Sequence, residues 1–460
     1  MADFANEISN DAFAFGSNDI NTMLKTYYAK EGVENLLYRN DPLLKMIKKE
    51  QVEGKTANFT ALYSKGGAVA ANYIKMKNLS LNGLKAAEFA VTPGQLFSGC
   101  VFDAKEIAAS KSMRGAYINI AQAKFFAATE SFRKTLAVAL YGTGYGEIYQ
   151  LDGTETTTIG TSSSGSTTFT LPQYAVMSLD VGSSLDFCSA LGTVSDTAVV
   201  EKIDGTSVTV GKGTGVTLSS GNYVCLSGCS NGTGKPLLPM GLAGWLPKSI
   251  TSANDSFFGV TRSTARDRLA GTYIQALATD PVTGSAEAKY ATIQRGILAL
   301  RRMGSLCDMI VMNDEDYAAM AREIENKTTF QKVDGGKKGK ATVGYSGFGF
   351  AVSTNWLDNV IDSPYCPKGT AYILSSDTVQ LWTFSNTSKI ADGIVDNEPG
   401  KPDVTADDPS ALPYKLLVDN LISVQPGQES IDGPATLASL NFYGSFVITN
   451  PSVNGVVTLN

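Results

Sequence analysis

An α+β fold with a small all-β insertion is predicted by three features of this sequence. Apolar residues Ile107, Met113, Tyr117, Ile120, Phe125, Phe126, Phe132 and Leu136 recur at roughly helical spacing across residues 103–140. From residue 152 the composition turns abruptly to Thr, Ser and Gly, followed by short strand-like runs. From about residue 285, helical and strand patterns alternate, which is the signature of an α/β layer.

The first segment, residues 1–53, makes a poor independent domain. Its short apolar patches, Met23-Leu24 and Leu36-Leu37-Tyr38, alternate with polar stretches, and Pro42 interrupts its last helical candidate. Such an arm must bury its apolar residues against something else. Residues 54–102 then read as a long two-stranded excursion. Ala57-Asn58-Phe59-Thr60-Ala61-Leu62-Tyr63 goes out, and Glu88-Phe89-Ala90-Val91-Thr92 with Gln95-Leu96-Phe97 comes back. Between them, glycines and small residues mix with Lys75, Lys77, Lys85 and scattered leucines. An exposed hairpin has unpaired edges, and such edges invite a partner strand.

The segment 103–151 carries the long helix. Asp103 with Glu106 three residues on has the form of a capping box, and Gly142 is placed as the C′ residue, with Gly144 and Gly146 continuing the turn. At 1.5 Å per residue this helix would be about 55 Å long, with Gly115 marking a bend. Residues 152–234 read as a barrel-like insertion. Its runs at 199–203, 207–210 and 223–226 are separated by the turn pairs Asp204-Gly205 and Gly221-Asn222. A return segment, 235–286, contains Met240-Gly241-Leu242-Ala243-Gly244-Trp245-Leu246. Beyond it, residues 287–427 hold a helix ending near Met303, the strand Asp308-Met309-Ile310-Val311-Met312, and a helix capped at Asn313 or Asp314. The same segment continues through Phe348–Val352 and Ala371–Leu374 to an acidic, proline-bearing loop, 392–413. The last segment, 428–460, closes the chain with a strand stopped at Pro451.

Composition narrows the chemistry. There is no histidine in 460 residues, which excludes a Ser-His-Asp triad and an H-E-x-x-H zinc helix, so no catalysis and no cofactor are expected. A net charge of −6 argues against a surface built to neutralise nucleic-acid phosphates; nucleic acid near this protein would be enclosed, not gripped. No apolar run reaches membrane-spanning length, and the first ten residues carry Asp3 and Glu7 where a signal peptide has basic residues and an apolar stretch. Without an export signal, Cys100, Cys188, Cys225, Cys229, Cys307 and Cys366 read as reduced thiols, and the close pair Cys225/Cys229 lacks the further thiolates that zinc requires.

The order of parts, arm, extended hairpin, long helix ending in Leu140-Tyr141-Gly142-Thr143-Gly144-Tyr145-Gly146, β insertion and an α/β module closing at Asn450-Pro451, resembles the major capsid protein of tailed double-stranded-DNA bacteriophages. Local phrases are similar too: Arg114-Gly115-Ala116-Tyr117, Met240-Gly241-Leu242, Phe258-Gly259-Val260-Thr261-Arg262, Arg301-Arg302-Met303-Gly304 and Gly369-Thr370-Ala371-Tyr372-Ile373-Leu374. Their order along nearly the whole chain carries the resemblance.

The resemblance implies a subunit that self-assembles through hexamers and pentamers into an icosahedral shell around double-stranded DNA, without sequence-specific binding and without a membrane. The long helix and terminal strands would form the peripheral domain, residues 287–427 the axial domain, 54–102 a loop lying across a neighbour, and 1–53 a clamp. Inter-subunit contacts would involve Leu36, Leu37, Tyr38, Tyr63, Lys75, Lys77, Leu79, Leu81, Lys85 and Phe89. Portal, scaffolding and head-decoration proteins would be partners, and the protein would reside in the virion capsid after assembly in the host cytoplasm. In some relatives a hairpin lysine attacks a neighbour's Asn, a role open to Lys75 or Lys77. A cellular nanocompartment shell is the alternative within the same fold; an adhesin or β-rich enzyme is motivated only by the Thr/Ser/Gly insertion.

Two other motifs fall away. Gly142-Thr-Gly-Tyr-Gly146 follows a helix where a dinucleotide loop must follow a strand, and Asp334-Gly-Gly-Lys-Lys-Gly-Lys340 lacks the first glycine and the hydroxyl of a P-loop. The acidic run Asp392, Asp396, Glu398, Asp403, Asp407, Asp408 fits no calcium-loop template.

Overall fold

The computed structural model describes residues 42–52, 56–64, 69–79, 85–103, 120–151, 157–158, 166–211, 217–218, 220–229, 235–252, 254–281, 284–325, 350–352, 355–357, 359–383, 423–429 and 435–460. They fall into two units. One holds the described residues of 97–133 and 386–442, the other those of 40–96, 134–385 and 443–460. Among the described residues no helix is long and apolar enough to cross a membrane.

The hairpin follows a short strand, β1 (Lys48–Gln51). Its outgoing strand β2 (Ala57–Ser64) leads to a helix, α1 (Tyr73–Leu79), and returns as β3 (Lys85–Val91). β2 and β3 pair antiparallel from Ala57↔Val91 to Ser64↔Lys85. The excursion is therefore shorter than 54–102. Pro93, which has no N–H to give a ladder, separates β3 from β4 (Gly94–Asp103), and β4 belongs to another sheet.

The long helix is described as α2 (Ile120–Tyr141). Asp103 ends β4 in the extended conformation that an N-cap requires, and the intervening 104–119, with Gly115, lie outside the described residues. In the first unit, Phe132 of α2 meets Phe442 edge-on at 6.3 Å, and the Ser98 hydroxyl donates to the Ala128 carbonyl at 3.0 Å. At the helix end the expected left-handed glycine is displaced. Positive φ occurs at Gly144 (89°) and Gly146 (70°) but not at Gly142, whose N–H instead closes a tight turn onto the Ala139 carbonyl at 3.2 Å.

The insertion is built from β5 (Glu147–Gln150), β6 (Ser166–Thr170), the helical turn α3 (Gln173–Val176), β7 (Ser184–Ala190), β8 (Thr193–Asp204), β9 (Ser207–Gly211) and β10 (Tyr223–Leu226). The strand order is β5–β10–β7–β8–β9–β6, antiparallel throughout. Gly205 (φ 60°) and Gly221 (φ 85°) turn the chain where the sequence placed turns. Its core is its own: Leu151, Phe169, Leu171, Leu185, Phe187, Val200, Val208 and Val224, covered by Ala175 and Val176 of α3.

Two expectations are corrected here. Among the described residues the edge strands β5 and β6 do not pair, so the sheet is open, not barrel-like; α3 covers the apolar face that closure would otherwise bury. The sheet also begins at Glu147, ahead of residue 152, because Ile148 and Tyr149 pack on this core.

The α/β layer contains α4 (Leu242–Trp245), β11 (Thr272–Gln275), α5 (Lys289–Arg302), β12 (Met309–Met312), α6 (Asp314–Glu325), β13 (Asn359–Asp362), β14 (Thr370–Leu374) and β15 (Val379–Thr383). The chain ends with β16 (Ser423–Glu429), β17 (Ala435–Ile448) and β18 (Gly455–Thr458). One sheet runs β11–β18–β14–β12–β13. Every residue of β12 and β14 is buried, as expected of strands covered on both faces. Ile293, Ile297 and Leu300 of α5 pack on this sheet. The approach is close at Gly296, where a Cβ would lie 2.7 Å from Ile373 Cδ1. Asn313 caps α6 by accepting the Glu315 N–H at 3.0 Å.

This sheet corrects the domain boundaries. β11 was assigned to the return segment 235–286 and β18 to the terminal segment 428–460, yet both are strands of the sheet that was expected within 287–427. β17 ends at Ile448, ahead of Pro451, and a short helical turn, Pro451–Val453, reverses the chain and delivers Gly455–Thr458 between β11 and β14.

The insertion's separate core generates a prediction. Replacing residues 147–228 with a short Gly/Ser linker should leave a subunit that still melts cooperatively, since Leu226 and Gly146 already meet through an N–H···O bond of 2.8 Å. Circular dichroism of the truncated subunit checks this; loss of the cooperative transition would place the insertion within the main core.

A second prediction concerns acid. Burial works to raise the Glu287 pKa, but the bidentate Arg295 guanidinium, at 2.7 and 3.0 Å, and the Leu277 N–H, at 2.8 Å, outweigh it, so the carboxyl sits below its ordinary value. A depressed folded-state pKa stabilises above the ordinary carboxylate range and loses that stabilisation as pH falls through the folded value. The melting temperatures of the parent and Glu287→Gln should therefore differ most at neutral pH and converge as pH falls through the lowered folded-state value, beneath the ordinary carboxylate range.

Candidate assembly surface

The hairpin is fixed at its base by an aromatic cluster within the second unit. Phe59 and Phe89 face each other in register across β2 and β3 and stack with centroids 5.2 Å apart. Both meet the Trp245 indole, at 6.0 and 5.5 Å, and Trp245 meets Phe257 edge-on at 4.9 Å. The buried indole N–H donates to the Phe446 carbonyl at 2.7 Å, so this large apolar group keeps its one polar atom satisfied. Arg262 closes the cluster. Its guanidinium lies 4.1 Å from the Phe257 ring centre and donates to the carbonyls of Gly244 and Asn254 at 2.7 and 2.6 Å. Burial pushes its pKa down to about 10, which still leaves it charged near neutrality.

Burial fades along the hairpin. Ala57, Ala61, Phe89 and Val91 are buried, whereas Leu62 is 57% exposed, and at the far end Val69, Tyr73 and Ile74 are 93%, 74% and 68% exposed. α1 is nonetheless an organised element. The Asn72 side chain accepts the Ile74 N–H at 2.9 Å and the Lys75 N–H at 3.3 Å, and the Asn72 carbonyl accepts from Met76 at 2.9 Å. Lys75, Lys77 and Lys85 are all exposed. Residues 64–86 hold four lysines, these and Lys65, and no carboxylate, in a chain whose net charge is −6. The tip is thus a basic element with exposed apolar groups, carried on a base that cannot flex without disturbing the aromatic cluster.

Of the expected contact residues, Tyr63 is half-buried beside a register shift in the β2–β3 ladder, Lys75, Lys77 and Lys85 are at the exposed end, and Leu79 is the last residue of α1. Leu36, Leu37, Tyr38 and Leu81 lie outside the described residues. Phe89 is corrected: it is fully buried in its own subunit's aromatic cluster and is not available to a neighbour. Sequence reasoning missed α1 and the exposed pair Tyr73 and Ile74. The signal was present as Asn72, a strong N-cap residue, directly before Tyr-Ile-Lys-Met-Lys.

Five cysteines, Cys188, Cys225, Cys229, Cys307 and Cys366, are free thiols. Among the described residues no group of His, Cys, Asp or Glu is arranged to hold a metal. The basic loop 334–340 and the acidic run 392–408 lie outside the described residues.

No protein-family model matches the chain, and no curated protein matches it. Solved structures do. The capsid asymmetric unit of cyanophage A-1(L) is similar over 94% of this chain and 96% of that chain, with 15% identity and a TM-score of 0.53. A Mycobacterium phage Bobi chain matches over 97% and 98%, with 9% identity and a TM-score of 0.43. The holo-SrpI encapsulin complex of Synechococcus elongatus PCC 7942 matches over 95% and 93%, with 7% identity and a TM-score of 0.41. At such identities the likeness concerns architecture, and the cyanophage chain shows that this chain has the capsid-subunit fold its order of parts implied.

The aromatic cluster generates a prediction for this surface. Trp245→Ala should destabilise the subunit by about 3–5 kcal/mol, the range for removing a large buried aromatic. It should also loosen the hairpin, read as faster amide exchange along β2 and β3; unchanged exchange there would show that the hairpin does not depend on this anchor.

Proposed function

We propose that this chain is the repeating, non-catalytic subunit of an icosahedral tailed-phage shell that encloses double-stranded DNA. The observation that carries the proposal is the hairpin tip: an ordered, basic helix with Tyr73 and Ile74 exposed, at the far end of a firmly anchored hairpin. A second copy fits this tip in charge, because a tip with four lysines and no carboxylate leaves the remainder of an acidic chain to supply the complementary field. The capsid-subunit fold supports the same reading.

On this proposal the contacts of the tip, Tyr63, Lys75, Lys77, Leu79, Leu81 and Lys85, are made with a neighbouring subunit, and the arm patch Leu36, Leu37 and Tyr38 with another. Hexamers and pentamers form the shell, and portal, scaffolding and head-decoration proteins complete it in the host cytoplasm. The net charge of −6 fits a shell that confines DNA without gripping it. Genome-length DNA inside purified particles separates a virus shell from an enzyme-filled compartment.

The test is a double substitution, Tyr73→Asp with Ile74→Asp. Each side chain loses about 1.5–3 kcal/mol of burial at every copy of the contact, while the free subunit, in which both are exposed, keeps its melting temperature. Electron microscopy should show parent particles and no stable shells from the variant. Shells of parental heat resistance would sink the proposal.

A further inference from the structure

A cavity of about 300 Å³ lies within the second unit, lined by residues of α2, β5, β10 and the segment 365–372. Glu147 lines it and is half-buried as a residue, with its carboxylate oxygen Oε2 enclosed. One carboxylate oxygen, Oε1, accepts from the Thr143 N–H and, at 2.7 Å, from the Thr143 hydroxyl. The other, Oε2, is buried with no hydrogen-bond partner. A buried carboxylate oxygen left without a partner costs about 1–3 kcal/mol or more, so it marks a place where a donor belongs. Burial raises the Glu147 pKa above its ordinary value, and the hydrogen bonds from the Thr143 hydroxyl and from the backbone N–H groups of Glu147, Thr143 and Tyr145 only partly offset this.

The remaining walls are aromatic. Tyr149 and Tyr174, edge-on at 6.3 Å, line the cavity with Tyr223 and Tyr372. Tyrosine rings attract cations through their negative faces and also accept an alkyl stem. At roughly 30 Å³ per water, the space would hold about ten waters, enough for a small organic molecule. Lys248 also lines it, its ammonium donating to the Thr370 hydroxyl at 2.8 Å. A second positive charge on a ligand would meet this lysine, so a short monocation fits where a polycation does not.

We propose that this cavity binds a primary alkylammonium ion, the Glu147 carboxylate turning to bring its enclosed Oε2 to the ammonium N–H groups and the alkyl stem lying among the tyrosines. The same chemistry is offered by a free amine and by a lysine side chain of another polypeptide. Neither source is needed for the shell proposal, which stands or falls separately.

The test is calorimetric titration of the full-length protein with n-butylammonium chloride, with 1-butanol as the neutral control and Nα-acetyl-lysine amide as the peptide-like probe. Saturable binding of butylammonium, with none of butanol, is expected. Binding of the lysine amide as well would assign the site to a side chain, and its failure to bind would assign it to a free amine. Glu147→Gln keeps the volume and the Thr143 acceptor and should weaken binding about tenfold or more, the scale of one charge-assisted hydrogen bond. Lys248→Met should tighten it, and this decides the matter if the Glu147 variant does not fold. Equal binding of butanol, no saturable binding, undiminished binding by Glu147→Gln, or loss of binding by Lys248→Met would each overturn the proposal.

Discussion

The Trp245 indole is the point on which the second unit converges. Five segments meet there, β2 through Phe59, β3 through Phe89, α4 through Trp245 itself, the loop carrying Phe257 and Phe258, and β17 through the Phe446 carbonyl, while β15 joins them through Trp382, edge-on to Phe59. None of these contacts is individually large; edge-on and stacked aromatic pairs add about 0.5–1.5 kcal/mol each beyond burial. Their joint effect is geometric. The hairpin leaves the subunit from a base where both strands are pinned to one ring, and the Ala90 N–H is held by the Phe258 carbonyl at 3.0 Å. Phe258 adopts φ of 47°, unusual for a non-glycine residue, and its surroundings must hold it there. A two-stranded hairpin alone is marginal in water, so without this base the tip would have no defined position.

Stability and assembly are thereby separated along one hairpin. Base residues are buried and belong to the subunit; tip residues are exposed and contribute little to its folding. The charge follows the same division, since the lysines of 64–86 have no acidic neighbours in that segment. Such an arrangement steers association and fixes register more than it adds affinity, while the exposed apolar side chains supply the adhesive area. Substitutions at the two ends should therefore fail in different ways, the first by unfolding and the second by leaving folded subunits apart.

Much of this was legible in the sequence because it depends on periodicity. The α/β helices, the buried strand Met309–Met312, the Asn313 cap and the glycine turns at 205 and 221 all follow from local pattern. What was not legible depends on contacts between remote residues. Gly455–Thr458 gives no sign that it will lie between Thr272–Gln275 and Thr370–Leu374, so boundaries drawn from sequence order set both it and Thr272–Gln275 apart from the sheet they join. Whether a sheet closes is equally non-local; α3 was a weak local signal, yet it covers the insertion's apolar face. Phe89 illustrates the general difficulty. An alternating strand pattern tells which residues share a face, but not whether that face meets the subunit's own core or a neighbour's.

Glu147 occupies a junction that constrains both modules. It is the first residue of the insertion sheet, and through Thr143 it also ties down the chain leaving α2, between the two glycines that need positive φ and the strand that follows. Gly146 cannot take a side chain, because a Cβ there would lie 2.7 Å from the Cys229 sulfur, and Gly144 is similarly crowded by Pro236. The entry and exit of the insertion are thus packed directly against each other, which is why the module can hold a core of its own. A buried carboxylate would be an odd choice for a purely structural junction, since a glutamine could serve the Thr143 contacts without the cost of desolvating a charge. At the wall of a tyrosine-lined cavity, the Thr143 contacts account for one oxygen of this carboxylate and leave the other, Oε2, without a partner.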